Sequence, residues 1–109
     1  MKLKALTDEL DLCPLHLESD GDADVQGAYC GDLLSDVLAN IEPNSIWFTI
    51  QGHVNIIAVA QLREVACICL VNGAAPDPKT VAKARSLGIS LCGSEETSAA
   101  LCMKLAGTL

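Results

Sequence analysis

Two apolar runs, Ser45-Ile46-Trp47-Phe48-Thr49-Ile50 and Val65-Ala66-Cys67-Ile68-Cys69-Leu70-Val71, constrain this chain more than any other feature. Each has strand length and is nearly continuous, the pattern of a strand buried on both faces. Between them, Asn55 to about Glu64 is an Ala-rich apolar stretch of helical length, with Asn55 placed to cap it. A strand, a helix and a second doubly buried strand make a crossover unit, which requires parallel neighbours.

The rest of the chain continues the alternation. Lys2 to Leu10 sets Leu3, Leu6 and Leu10 at helical spacing. Leu12 to Leu17 alternates weakly and reads as a strand pairing antiparallel at a sheet edge. Val25 to Cys30 predicts a strand, and Asp32 is placed to cap a helix whose buried face is Leu33, Leu34, Val37 and Leu38. Asn72-Gly73 breaks the chain after the second apolar run. Asp77 caps a helix opened by Pro78 and stopped by a left-handed Gly88. Ile89 to Cys92 is a short strand. Ser94 caps the last helix, with Glu95 and Glu96 near its positive end. The predicted architecture is one α/β domain over residues 1–109: three layers, a mainly parallel sheet with helices on both faces.

Trp47, Tyr29 and Phe48 are the only aromatic residues, so the core must be aliphatic. Trp47 itself reads as core packing, with an exposed interface anchor as the alternative. No apolar run approaches the roughly 18 residues of a membrane span. Asp8 and Glu9 cut short the signal-like opening from Met1 to Leu6, so a cytoplasmic location is expected. The net charge is −7, of which −5 lies within residues 1–24 and −2 beyond. With no basic stripe to release counterions from phosphates, nucleic-acid binding is not expected, and an anionic membrane surface is disfavoured likewise.

The six cysteines, Cys13, Cys30, Cys67, Cys69, Cys92 and Cys102, lack C-x-x-C spacing. Cys67 and Cys69 share one face of a strand and read as small hydrophobes. A redox or catalytic role for Cys67 or Cys92 is the weaker alternative. Asp20, Asp22 and Asp24 alternate like the start of a calcium loop, but the bidentate glutamate further on is missing. No local spacing supports a zinc site built from His16, His53 and a cysteine, and no metal and no cofactor are expected.

The runs Val25-Gln26-Gly27-Ala28-Tyr29-Cys30-Gly31-Asp32-Leu33-Leu34-Ser35-Asp36-Val37 and Trp47-Phe48-Thr49-Ile50-Gln51-Gly52-His53-Val54-Asn55-Ile56-Ile57-Ala58-Val59-Ala60 resemble the DRTGG domain family. Leu70 to Asp77 and Gly88 to Cys92 fit the same pattern. More narrowly, the chain resembles that family's free-standing small proteins, found with iron-only hydrogenase or electron-transfer genes. Asp24-Val25-Gln26-Gly27-Ala28 stands where the eponymous five residues would fall. The resemblance implies an α/β fold similar to the amino-terminal domains of HPr kinase and the Mur ligases. It also implies a regulatory role and dimer formation rather than catalysis.

In a parallel sheet, ligands bind beyond the carboxyl ends of the strands. Here that rim collects Asp32, Thr49, Gln51, His53, Asn55, Asn72 and Gly73 as candidate ligand-binding residues. It carries neither G-x-x-x-x-G-K-[ST] nor G-x-G-x-x-G, and Asp32, Asp77, Glu95 and Glu96 make it acidic. A helix dipole contributes only about 0.3–1 kcal/mol per charge, too little to hold a polyphosphate there unaided. His53 reads as a turn residue capping the following helix or as a ligand contact. Catalysis by it would need a carboxylate or hydroxyl partner such as Asp32 or Ser35. His16 reads as structural. The function expected is a non-catalytic regulatory or assembly domain, a homodimer docking on a larger enzyme. The alternative is a small-ligand or nucleotide sensor using the rim around His53.

Overall fold

The computed structural model describes residues 1–109. In chain order they form α1 (Leu3–Glu9), β1 (Cys13–His16), a 3-10 turn (Glu18–Gly21), β2 (Gly27–Cys30), α2 (Leu34–Asn40), β3 (Ser45–Thr49), α3 (Asn55–Leu62), β4 (Cys67–Leu70), α4 (Pro78–Leu87), β5 (Leu91–Gly93) and α5 (Ser98–Leu105). The strands make one five-stranded sheet in the order β1-β5-β4-β3-β2. β2 to β5 are mutually parallel, and β1 runs antiparallel to β5, with Cys13 opposite Gly93. The weak first strand is therefore the antiparallel edge that its alternation predicts.

The alternation along each strand sorts the core into two halves. Ile46, Phe48, Cys67, Cys69 and Cys92 point to one side, where Leu3, Leu6 and Leu10 of α1 and Leu101 and Leu105 of α5 cover them. Trp47, Ile68, Leu70 and Leu91 point to the other, beneath Val37 of α2, the Ile56–Ala60 face of α3 and Ala84 of α4. Because β2, β3, β4 and β5 are successive neighbours, crossovers of one hand leave α2, α3 and α4 on a single face. The flanking α1 and α5 supply the opposite layer, which completes the three-layer α/β architecture. The β3 strand is buried along its whole length, as is β4. Three small thiols on the α1/α5 side let leucine-bearing helices approach the sheet closely.

Several terminal details differ from the sequence reading. The cap of α5 is Thr97, whose hydroxyl accepts the Ala100 N–H at 3.1 Å; Ser94 instead accepts the Glu96 N–H at 3.0 Å, inside the preceding turn. Only Val37 of the α2 face is buried, while Leu33 is 68% and Leu38 38% exposed. The reason is position: α2 is seven residues long and covers the outermost strand, so little sheet lies beneath it. By contrast Gly88 does end α4 in the left-handed region, at φ 71°. Asn72 and Gly73 both take positive φ at the predicted break. The acidic loop contains the 3-10 turn, with Ser19 and Asp20 left-handed. No helix is long and apolar enough to cross a membrane.

Candidate functional site

Four parallel strands end on one edge of the sheet, and the start of the antiparallel β1 joins them there. The end of β2 is fixed first. Gly31 donates its N–H to the Phe48 carbonyl at 3.2 Å, and its own carbonyl accepts the Trp47 indole N–H at 2.8 Å. Asp32 follows, and it does not cap α2, whose N-cap is Leu33 with no side-chain bond. Its Oδ1 instead accepts the Thr49 hydroxyl and the Ile50 N–H, both at 2.9 Å, across the sheet. Reaching back over β3 satisfies the first N–H beyond that strand, which is why the carboxylate is spent there. Gln51 completes the cluster: its Nε2 donates to the Asp32 carbonyl at 2.9 Å and its N–H to the Thr49 hydroxyl at 3.2 Å.

Asp32, Thr49 and Gln51 are thus brought into one hydrogen-bonded group. His53, Asn55 and Asn72 are exposed, and no hydrogen bond joins them to it. His53 Nδ1 accepts the Asn55 N–H at 3.1 Å, so the histidine secures the start of α3 and Asn55 is its first helical residue rather than its cap. Neither Asp32 nor Ser35 bonds the imidazole. The Asn72 and Gly73 N–H groups are taken by the Glu96 and Ser94 carbonyls, both at 2.9 Å, which ties the β4 turn to the β5 turn. Glu96 is held in turn by Lys104 at 2.6 Å.

Gly52 is a further rim residue, in the Gln51–Asn55 connection but outside the candidate ligand-binding set. A Cβ there would collide with the Ala75 carbonyl oxygen. Its carbonyl accepts both the Asp77 N–H at 3.0 Å and the Thr80 hydroxyl at 2.7 Å, anchoring the start of α4. A glycine before a helix is a weak signal by itself; the close approach exists only in three dimensions.

Thiol chemistry at the β4–β5 core has no access. Cys67 and Cys92 are fully buried, and the Cys92 sulfur 3.6 Å away, with burial, holds the Cys67 thiol well above its usual range. Burial, followed by Cys92, pushes Cys69 up to about 12. Cys30 and Cys102, by contrast, meet at the surface with 3.3 Å between their sulfurs. No spacing rule signals that pair, because it joins β2 to α5. His16 Nε2 lies 3.0 Å from Glu18 on the opposite sheet edge from β2. No three His, Cys, Asp or Glu side chains are grouped to share a metal ion.

The rim is therefore a pre-formed polar edge whose groups are largely committed to one another. Asp32→Ala should leave the Thr49 hydroxyl and Ile50 N–H without their acceptor. The expected cost is about 1–2 kcal/mol, since water replaces part of the loss at this exposed carboxylate. Urea unfolding monitored through Trp47 fluorescence measures it, and an unchanged midpoint would show that the cluster does not organise the rim.

No family model matches the chain, and no curated protein matches it in sequence. Among solved structures it resembles the CBS and DRTGG domains of the regulatory region of Clostridium perfringens pyrophosphatase, complexed with the activator diadenosine tetraphosphate. The TM-score is 0.77 at 13% identity, over 99% of this chain and 47% of that one. The chain thus spans about half the length of that regulatory fragment. Identity this low speaks for the fold alone, and the fold is the one that the runs from Val25 and from Trp47 led us to expect: the chain has an α/β fold similar to that of this DRTGG-containing regulatory region.

Proposed function

We propose that this domain is a non-catalytic regulatory module that self-associates and docks on a larger enzyme. The family resemblance points to a redox enzyme of the iron-only hydrogenase or electron-transfer kind as the partner class. The observation that carries the reading is the contrast between the two sorts of surface. Asp32, Thr49 and Gln51 of the rim are bonded to each other, and no buried side-chain nitrogen or oxygen lacks a partner. Large apolar side chains stand in solvent instead: Leu62 is 71% exposed, Met103 74% and Ile50 49%. Between α3 and α4 runs a groove of about 790 Å³ whose lining includes Val54, Ile57, Ala58 and Leu87, with Lys79 and Lys83. Neither lysine has a carboxylate partner, although the chain carries −7 overall. Such a groove suits an acidic amphipathic segment of the partner enzyme. Sedimentation velocity at high micromolar concentration is expected to show a dimer; a monomer under those conditions removes self-association from the reading.

A second reading makes the rim around His53 a small-ligand or nucleotide sensor, using Asp32, Thr49, Gln51, His53, Asn55, Asn72 and Gly73. It is favoured by the nucleotide activator bound to the structurally similar regulatory region. The acidity of Asp32, Asp77, Glu95 and Glu96 opposes it. Thermal unfolding with diadenosine tetraphosphate separates the two. Ligand at a hundred times its dissociation constant stabilises by about 2.7 kcal/mol, so a Tm that does not move removes that nucleotide as a ligand.

A further inference from the structure

We propose that Cys30 and Cys102 are a reversible disulfide site, formed by exchange with low-molecular-weight disulfides, that fastens α5 to the end of β2. Cys30 is the last residue of an edge strand that contributes no residue to the core under α1 and α5, and Cys102 lies on α5 between the buried anchors Leu101 and Leu105. Their sulfurs are 3.3 Å apart, so a bond of about 2.05 Å needs only a small closure of each side chain. Both are reachable: Cys30 is exposed and Cys102 half-buried, whereas Cys67, Cys69 and Cys92 are sealed in the core. Cys13, the remaining exposed thiol, lies on the opposite sheet edge and has no sulfur beside it.

The exchange balances without another reagent. One protein thiolate attacks a sulfur of the small disulfide, forming a mixed disulfide and releasing one small thiol. The second protein thiol gives up its proton and attacks the mixed disulfide, releasing the second small thiol. Two cysteines are oxidised and one small disulfide is reduced. Partial burial and the neighbouring Cys102 sulfur push the Cys30 thiol up to about 11. The bond would adjoin Gly31 and Asp32, the residues that hold the Trp47 indole and the Thr49–Ile50 segment.

The test uses the full chain carrying Cys13→Ser, reduced and then incubated with oxidised glutathione, quenched by alkylation and weighed by mass spectrometry. The expected product is two hydrogen atoms lighter, with a peptide joining residues 30 and 102, while Cys30→Ser or Cys102→Ser stalls with one glutathione attached or does not react. Amide hydrogen exchange across residues 98–105 should slow by about tenfold on oxidation. A chain with both cysteines intact that stalls with attached glutathione, or in which Cys30 and Cys102 both remain free thiols, overturns the proposal. Formation of the bond with unchanged exchange overturns the fastening of α5.

Discussion

Trp47→Ala should be the most destabilising single substitution in this domain, costing about 4–5 kcal/mol. The indole is fully buried in the middle of β3, facing Val37, Ile56 and Ile68. Truncating a buried tryptophan typically costs about 3–5 kcal/mol through lost burial and the cavity left behind. The Gly31 carbonyl also loses its donor at 2.8 Å, a penalty of about 1 kcal/mol or more beside the packing loss. Domains of this size hold only about 5–15 kcal/mol in total, so the variant should be marginal at best. Trp47→Phe helps separate the two contributions, because it keeps most of the filling while removing the N–H and part of the ring system. Its cost should be about 1–3 kcal/mol. Chemical denaturation followed by circular dichroism gives both values. If Trp47→Ala unfolded within 1 kcal/mol or so of the parent, the indole would not be the centre of that half of the core.

Gly52→Ala is expected to rank second, at about 3 kcal/mol. The added methyl meets the carbonyl oxygen of Ala75, a backbone atom that cannot rotate aside. Relief requires moving the 75–77 segment, which strains or breaks the bonds from Asp77 N–H and the Thr80 hydroxyl to the Gly52 carbonyl. Overpacking costs about 1–3 kcal/mol, and each lost bond adds about 0.5–1.5 kcal/mol. The corresponding fall in Tm is more than about 10 °C for a chain of this length. Thr80→Val, which removes one of the two bonds without the collision, should cost about 1 kcal/mol. Equal losses in the two variants would mean that the steric clash is relieved locally and that Gly52 is not a fixed point of the rim.

The architecture was legible because its signals are local. Ser45–Thr49 and Cys67–Leu70 are continuous apolar runs bounded by turn residues, and Pro78 with Gly88 brackets a helix between recognisable stops. What escaped was the identity of groups that act across the sheet. Asp32 has the residue type and spacing of a cap, yet its carboxylate reaches β3, seventeen residues on, because that strand lies beside it. Thr97 rather than Ser94 is the cap because the turn runs on through Glu95 and Glu96, with Ser94 engaged by the Glu96 N–H, before α5 begins at Ser98. Leu33 and Leu38 follow helical spacing toward a core, and only the edge position of α2 leaves them in solvent. Of the candidate rim, Asp32, Thr49 and Gln51 form a contiguous unit, whereas His53 and Asn55 serve their own turn and Asn72 ties its turn to the one after β5. The Cys30–Cys102 contact is the extreme case, since seventy-two residues separate its halves.

The antiparallel pairing of β1 with β5 has a consequence for how the chain is made. Cys13 faces Gly93, so the segment bearing α1 and β1 leaves the ribosome about 80 residues before its sheet partner exists. At about 5–20 residues per second the wait is roughly 4–16 seconds. For the first part of it, until β3 and then β4 have been made, Leu3, Leu6 and Leu10 have no strands to cover. Within this domain the segment bearing α1 and β1 is therefore the one most in need of a holding chaperone, and its final docking coincides with the completion of translation of β5.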